Sequence, residues 1–174
     1  FRRSQNWIGT PGCTLNTAKF VPPSPDYLMD CLGEFEKFLH ERQLPPLIHA
    51  AFCHYQFEAI HPFLDGNGRI GRLLITLFLV EQKILSKPLL YLSAFFEKNK
   101  SLYYDNLTFV RTKNDMKQWL KYFLIGIAET AENATQTLSN ILEMKVRLEQ
   151  IIHTNFGKRA NQSGTIKRFK FTKY

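Results

Sequence analysis

The sequence predicts an all-α domain, a helical bundle with a small β-hairpin near its N-terminus. Apolar residues recur at helical spacing through most of residues 26–153, and a Thr10-Pro11-Gly12 turn signal separates two β-prone pieces within residues 1–25. At 174 residues, with 44% hydrophobic content and fifteen Phe, the chain is about one domain and can bury a core without disulfides.

Residues 1–25 are rich in Gly, Pro, Thr and Asn, with β-prone pieces near Trp7-Ile8 and Phe20-Val21, so a loose hairpin or flap is expected. Ser24 or Asp26 can cap the next helix, in which Leu28, Leu32, Phe35 and Leu39 share one face. Pro45-Pro46 ends it, because a helix rarely continues through two prolines. A second helix over residues 47–60 delivers His61 at its end, and Pro62 stops it. His49 and His54 lie in that helix without carboxylate or cysteine company, so they read as structural residues rather than metal ligands. The apolar run 70–80 reads as a buried helix. Residues 89–96 are mixed in pattern, a short helix or an extended turn, and residues 99–110 are helical with Tyr103, Leu107 and Val110 on one side. Asp115 can cap a helix through Met116, Trp119, Phe123 and Ile127. Beyond it Ala134, Leu138, Ile141, Lys145, Leu148 and Ile152 keep a near-heptad rhythm, which predicts one long helix packing across the core, with an end able to mediate a homodimer. From Thr154 the pattern dissolves into a basic linker or tail, 154–174, of a kind that leads to a further domain.

The formal charge is +8, but six of the bases fall in residues 154–174, where there is no acid. The body carries 17 bases against 15 acids, a balance of +2, so nucleic acid is a partner only through the tail or a domain beyond it. The apolar run after Arg72 is broken at Glu81-Gln82-Lys83, too short to span a bilayer, and no signal peptide is evident, so no membrane association is expected. Cys13, Cys31 and Cys53 form no Cys-X-X-Cys pair, which suits a reducing, cytoplasmic location.

Residues 61–72 carry the chemistry: His61-Pro62-Phe63-Leu64-Asp65-Gly66-Asn67-Gly68-Arg69-Ile70-Gly71-Arg72. Gly66 and Gly68 can take positive φ at little steric cost, so the backbone between Asp65 and Arg69 can curl until its N–H groups converge on an anion. The following helix opens on this turn, where unpaired N–H groups and the positive dipole end favour phosphate. Arg69 and Arg72 lie three apart and can both fork onto phosphate oxygens. Asp65 beside this nest opposes phosphate unless a divalent cation stands between them, which implies Mg²⁺. His61 is the base suited to neutral pH. Each signal is weak singly; their order and spacing together describe a phosphate site.

The stretch resembles, at every specified position, the signature of the Fic (filamentation induced by cAMP) family, His-X-Phe-X-(Asp/Glu)-Gly-Asn-Gly-Arg-X-X-Arg. Gln5-Asn6-Trp7-Ile8-Gly9 through Phe20-Val21-Pro22-Pro23 resembles the family's flap, and Glu97 through Tyr104 resembles the segment after its core helix pair. The similarity covers residues 1 to 150 or so. It implies a Fic-type helical bundle over residues 1–153 and AMP transfer from ATP to a Ser, Thr or Tyr hydroxyl of a target protein. It implies His61 as general base and Asp65 as Mg²⁺ ligand. The Gly66-Asn67-Gly68 nest and the Asn67 side chain would hold the α-phosphate, with Arg69 and Arg72 on the β- and γ-phosphates. Phe63 would point inward and anchor the loop, and Asn99, Tyr103 and Tyr104 are candidates for lining the nucleoside pocket. The arm around residues 5–21 would receive the target as an added strand.

Two alternatives stay open at this stage. The same site can remove AMP or move another phosphate-linked group, although the Asn67-Gly68 pair favours nucleotidyl transfer over the phosphoryl transfer of the related Doc toxins. A nucleotide-responsive DNA-binding regulator would act through the tail. The family's silencing motif, Ser/Thr-X-X-X-Glu-(Gly/Asn), is not found: Ser139 to Glu143 has the spacing but Met144 follows. The chain opens directly at the flap, which leaves open whether an inhibitory helix precedes Phe1; without one, ATP is expected to bind in the productive pose and the protein to modify itself or its targets without activation.

Overall fold

The computed structural model describes residues 1–162, with side chains to residue 155. Helix α1 spans Leu28–Leu39, α2 Pro46–Ile60, α3 Asn67–Glu81, α4 Ser93–Lys98, α5 Lys100–Lys113 and α6 Met116–Gln162. The chain divides into one compact unit over Phe1–Ala131 and a second that begins at Glu132.

In the first unit α2 is the axis. Most of its surface is covered: His49, Ala50, Ala51, Cys53, His54, Phe57, Glu58 and Ile60 are all buried, and beyond the first turn only the face of Phe52, Tyr55, Gln56 and Ala59 reaches solvent. Pro46 in its first turn forfeits no helical hydrogen bond, because that N–H would have no partner anyway. Both histidines hold the structure together. His49 Nε2 bonds the Phe38 carbonyl at 2.8 Å, and His54 bridges the Gly71 carbonyl and the Tyr103 hydroxyl, each at 3.0 Å. Trp119 and Phe123 of α6 are fully buried, and the Trp119 indole N–H donates to the Ala51 carbonyl at 3.0 Å. Asp115 caps the start of α6 through a 3.0 Å bond to the Gln118 N–H, as its sequence position suggests.

Helix α3 packs most extensively on α2, and Gly71 sets their approach. A Cβ there would stand 2.6 Å from Glu58 Oε1 and 3.2 Å from ring carbons of His54 and Phe57. No methyl fits without displacing buried groups.

The N-terminal arm departs from the expected β-hairpin. Among the described residues there is no strand, only one antiparallel bridge, in which Ile8 and Phe20 exchange N–H···O bonds of 2.8 and 3.0 Å. The next hydrogen-bonded pair would match residue 6 with Pro22, which has no N–H to donate. The Gln5 side chain takes the Pro22 carbonyl instead, at 3.0 Å. In the other direction the Thr10–Cys13 turn, with Gly12 at φ 82°, and a short 3-10 turn at Leu15–Thr17 consume the chain before a ladder can extend. Arg111 of α5 lies 4.0 Å over the Phe20 ring and pins the base of this loop.

Two further expectations meet a different structure. Burial along α6 is confined to its first part, at Trp119, Tyr122, Phe123 and Gly126, whereas Leu138, Ile141, Leu142, Met144 and Leu148 are exposed. The heptad rhythm therefore does not mark a helix buried along its length. The helix also continues through residues 154–162, where one glycine and no proline interrupt it, so the stretch expected to be linker is helical there. Residues 163–174, the rest of the expected tail, lie outside the described residues. Among the described residues no helix is long and apolar enough to cross a membrane.

Replacing Gly71 by alanine should destabilise the fold by about 1–3 kcal/mol, the usual cost of overpacking a filled core. Urea unfolding followed by tryptophan fluorescence should show a lower midpoint with the slope unchanged.

Candidate active site

The site grows out of the reversal between α2 and α3. Helix α2 ends because His61 takes the left-handed conformation, φ 51° and ψ 60°, while its N–H still bonds the Phe57 carbonyl at 3.0 Å. Pro62 then forbids any continuation. Asn67 closes the loop from the far side: its Oδ1 accepts from the Phe63 N–H at 2.9 Å and its Nδ2 donates to the Phe63 carbonyl at 2.7 Å. Asn67 is only 2% exposed and its side chain faces the loop, not the open space where the sequence reading places it against phosphate.

Gly66, the residue before α3, sits at φ 86°, a conformation that costs other residues strain. No side chain caps the helix. The first-turn N–H groups of Asn67, Gly68 and Arg69 are therefore free to face an anion, with the positive end of the α3 dipole behind them. Gly68 departs from the expectation of positive φ, since it is already helical; what its missing side chain provides is room, because a Cβ would lie 3.1 Å from the Arg72 guanidinium.

These groups surround a cavity of about 290 Å³ lined by His61, Asp65, Gly66, Asn67, Gly68, Arg69 and Arg72, all the signature positions assigned to nucleotide, metal or proton transfer. Leu64, Phe96, Glu97, Lys100, Tyr103 and Tyr104 complete its walls. Asn99 is not among them: its side chain bonds the Phe95 carbonyl at 2.9 Å, at the junction of α4 and α5. Tyr103 is 4% exposed and presents little surface, its hydroxyl being bonded to His54, whereas Tyr104 is half exposed. Phe63 packs inward as expected, with the Phe1 ring 5.5 Å away.

The charges are arranged in two levels. At the rim the exposed Asp65 and Arg69 pair at 3.1 Å, and Arg72 Nε donates to the Ser93 hydroxyl at 3.0 Å. Such a surface pair contributes little to stability and separates easily when a ligand competes. Among the described residues no three His, Cys, Asp or Glu groups cluster to hold a metal by themselves. Beneath the rim the titratable groups are pushed towards neutrality. Burial holds the His61 imidazole below its ordinary value; the Glu58 carbonyl opposes this and the Arg2 charge reinforces it. A neutral imidazole at pH 7 is the form that can take a proton. Burial likewise drives His54 down to about 4, with the Gly71 carbonyl opposing. Its Nδ1–H must donate to that carbonyl, so Nε2 accepts from the Tyr103 hydroxyl.

Glu58, Ser93 and Arg2 escaped the sequence reading. Glu58 lies on α2 with Oε1 buried and unbonded, and burial lifts its carboxyl to about 7 against the pull of Arg72 and the Tyr103 hydroxyl. Glu58 is the one acidic residue within α2, and that was the available signal.

Residues 1–79 match the sequence model of the Fic/DOC family. The chain is 40% identical over 83 residues to a protein adenylyltransferase Fic of Drosophila persimilis, an alignment covering 46% of this chain and 15% of that protein. It is 32% identical over 125 residues to a protein adenylyltransferase Fic of Aedes aegypti, covering 70% of this chain and 22% of that protein. The chain thus spans less than a quarter of the length of these relatives. In three dimensions it resembles the crystal structure of a Fic family protein from Desulfovibrio desulfuricans G20, with a TM-score of 0.68 and 26% identity, over 79% of this chain and 41% of that one.

Glu58 and His54 give opposite pH dependences. A carboxyl raised to about 7 favours the folded state fully below its unfolded value near 4.5, and that contribution is lost as pH rises through about 7. A histidine depressed to about 4 contributes stability above 6.5 that is lost as pH falls towards 4. Glu58→Gln should therefore be more stable than the parent above pH 7, by at most a few kcal/mol. The advantage should shrink to nothing by about pH 4.5, as read by chemical denaturation across that range.

Proposed function

We propose that this chain, whose residues 1–79 match the model of the Fic/DOC family, carries out protein adenylyltransfer, the movement of AMP from ATP to a Ser, Thr or Tyr hydroxyl of a target protein with release of pyrophosphate. The observation that carries the reading is the cavity itself. It places the uncapped first turn of α3, two arginines and the His61 imidazole around one space.

Transfer requires the hydroxyl to lose its proton as its oxygen attacks the α-phosphorus and the bond to the bridging oxygen breaks. His61, held neutral by burial, takes that proton. The backbone N–H groups of Asn67, Gly68 and Arg69 hold the α-phosphate oxygens as negative charge grows on them, and they need no reorganisation to do so. Arg69 and Arg72 bind the β- and γ-phosphates, with Ser93 holding the Arg72 guanidinium in place. Tyr104 and Tyr103 receive the nucleoside, with Phe96 on the same wall.

Mg²⁺ fits the rim, because Asp65 offers one exposed carboxylate beside the phosphate cradle and this ion commonly combines one or two carboxylates with substrate phosphates and water. Bound there it supplies charge neutralisation to the leaving pyrophosphate. The target docks along residues 5–21, where the single Ile8–Phe20 bridge leaves neighbouring backbone groups available to an added strand. We place this activity in the cytoplasm, in keeping with the three free cysteines. The exposed apolar side chains of α6 beyond Glu132 are a candidate homodimer surface. Residues 154–174 remain the proposed lead into a further domain, the only route we assign to nucleic acid.

His61→Ala should abolish AMP transfer while leaving ATP affinity within about twofold of the parent, because the imidazole acts on the target hydroxyl rather than on the nucleotide. Incubation with ATP and Mg²⁺ followed by intact-mass analysis of the chain and its targets reads the first; calorimetry reads the second. An increment of phosphate rather than AMP would favour phosphoryl transfer, and unchanged transfer would exclude His61 as base.

A further inference from the structure

Arg2 is a charged residue in an unusual position. It is 4% exposed, and among the described residues no carboxylate pairs with it. Its guanidinium donates instead to main-chain carbonyls: Nε to His61 at 3.0 Å, Nη2 to Pro23 by a short bond, and Nη1 to Ser4 at 3.5 Å. Its own N–H donates to the Pro62 carbonyl at 2.9 Å. Burying a guanidinium without a counter-ion is costly, and carbonyl acceptors on each of its three nitrogens offset part of that cost. Those acceptors come from two places that the proposed reaction must bring together. His61 and Pro62 form the end of α2, and Pro23 is the foot of the arm on which a target would dock.

The local backbone gives this clamp a purpose. His61 sits in the left-handed region, which a non-glycine residue holds only where its surroundings over-determine it. Its N–H is fixed by Phe57, and its carbonyl is fixed by Arg2. With both ends of the residue held and Pro62 locking the next φ, the direction of the Cα–Cβ bond is set, which leaves the imidazole only its two side-chain torsions.

We propose that Arg2 is a positioning residue for AMP transfer, joining the His61 carbonyl to the foot of the target-docking arm so that the imidazole and the incoming hydroxyl are held in one frame. The proposal rests on the transferase reading above. Arg2 does not line the cavity with Arg69 and Arg72; it borders the adjoining hollow, which shares Leu64 and Asp65 with that cavity. Its loss should therefore affect proton removal and target alignment and leave nucleotide binding alone. Lysine cannot substitute, because a single ammonium on a flexible stem lacks the planar fork that reaches carbonyls on separate segments.

The test compares Arg2→Lys and Arg2→Gln with the parent and with His61→Ala. Both Arg2 variants should lower kcat for AMP transfer about 10- to 100-fold, the scale of a small misplacement of a catalytic group. ATP affinity by calorimetry and KM for ATP should stay within about twofold. A readout independent of activity is the His61 imidazole titration by NMR, assigned by its disappearance in His61→Ala. Removing the positive charge should raise its pKa in Arg2→Gln, while Arg2→Lys, which keeps the charge, should move it less. Asp65, Arg69, Arg72, Glu97 and Lys100, the charged groups sharing the cavity with His61, are the same in all these proteins. Unchanged kcat in a folded Arg2 variant overturns the proposal, as does loss of ATP affinity in step with kcat. Should Arg2→Gln fail to fold, the kcat and KM of Arg2→Lys decide. An inactive parent would sink the transferase reading instead, and an unmoved His61 titration in Arg2→Gln would then sink the role of Arg2 separately.

Discussion

The turn between α2 and α3 has to reverse the chain while leaving the first amides of α3 uncovered, and the paired hydrogen bonds between Asn67 and Phe63 meet both demands. A helix start is ordinarily closed by a Ser, Thr, Asp or Asn just before it, whose side chain takes one of the free N–H groups. Here that position is Gly66, which has nothing to offer them. Asn67 turns backwards and binds the loop, so the reversal is rigid and the helix end stays open. Each of those two bonds contributes on the order of 1 kcal/mol to stability. Their larger effect is geometric, since they aim the amides into the same cavity as His61.

The remaining features serve that arrangement. Gly71 lets α3 approach the buried wall of α2, bringing the start of α3 over Glu58 and beside the end of α2. His54, bonded to both Gly71 and Tyr103, ties α2 to α3 and α5 with an uncharged ring. Because the histidines beneath the site are held neutral, little buried charge offsets the field of Arg69, Arg72 and the helix end. Arg2 then ties the His61 end of α2 to the N-terminal arm.

Periodicity made the longer helices legible, whereas the six-residue α4, which buries only the adjacent Phe95 and Phe96, is too short to show a repeat. The signature residues were legible for a different reason: glycine, asparagine and arginine at fixed spacing answer to backbone geometry, which sequence records directly. What the sequence concealed depends on pairing across distance. The hairpin was expected from β-prone pieces and a turn signal, yet Pro22 removes the donor needed for a second rung. Asn99 looked like a nucleoside contact by its place after the core helices, but its amide closes a helix junction. Asn67 was assigned to the ligand by type, whereas its side chain serves the loop. Arg2 and Ser93 act through partners 59 and 21 positions away, and no local pattern announces such bonds.

The central claim is that the open start of α3 gathers a triphosphate beside the His61 imidazole. Amide chemical shifts recorded while ATP and Mg²⁺ are titrated into the isotopically labelled chain test it most directly. The account predicts the largest movements at the N–H groups of Asn67, Gly68, Arg69 and Arg72, accompanied by the His61 ring. Saturable binding that moves signals elsewhere and leaves those amides still would contradict it.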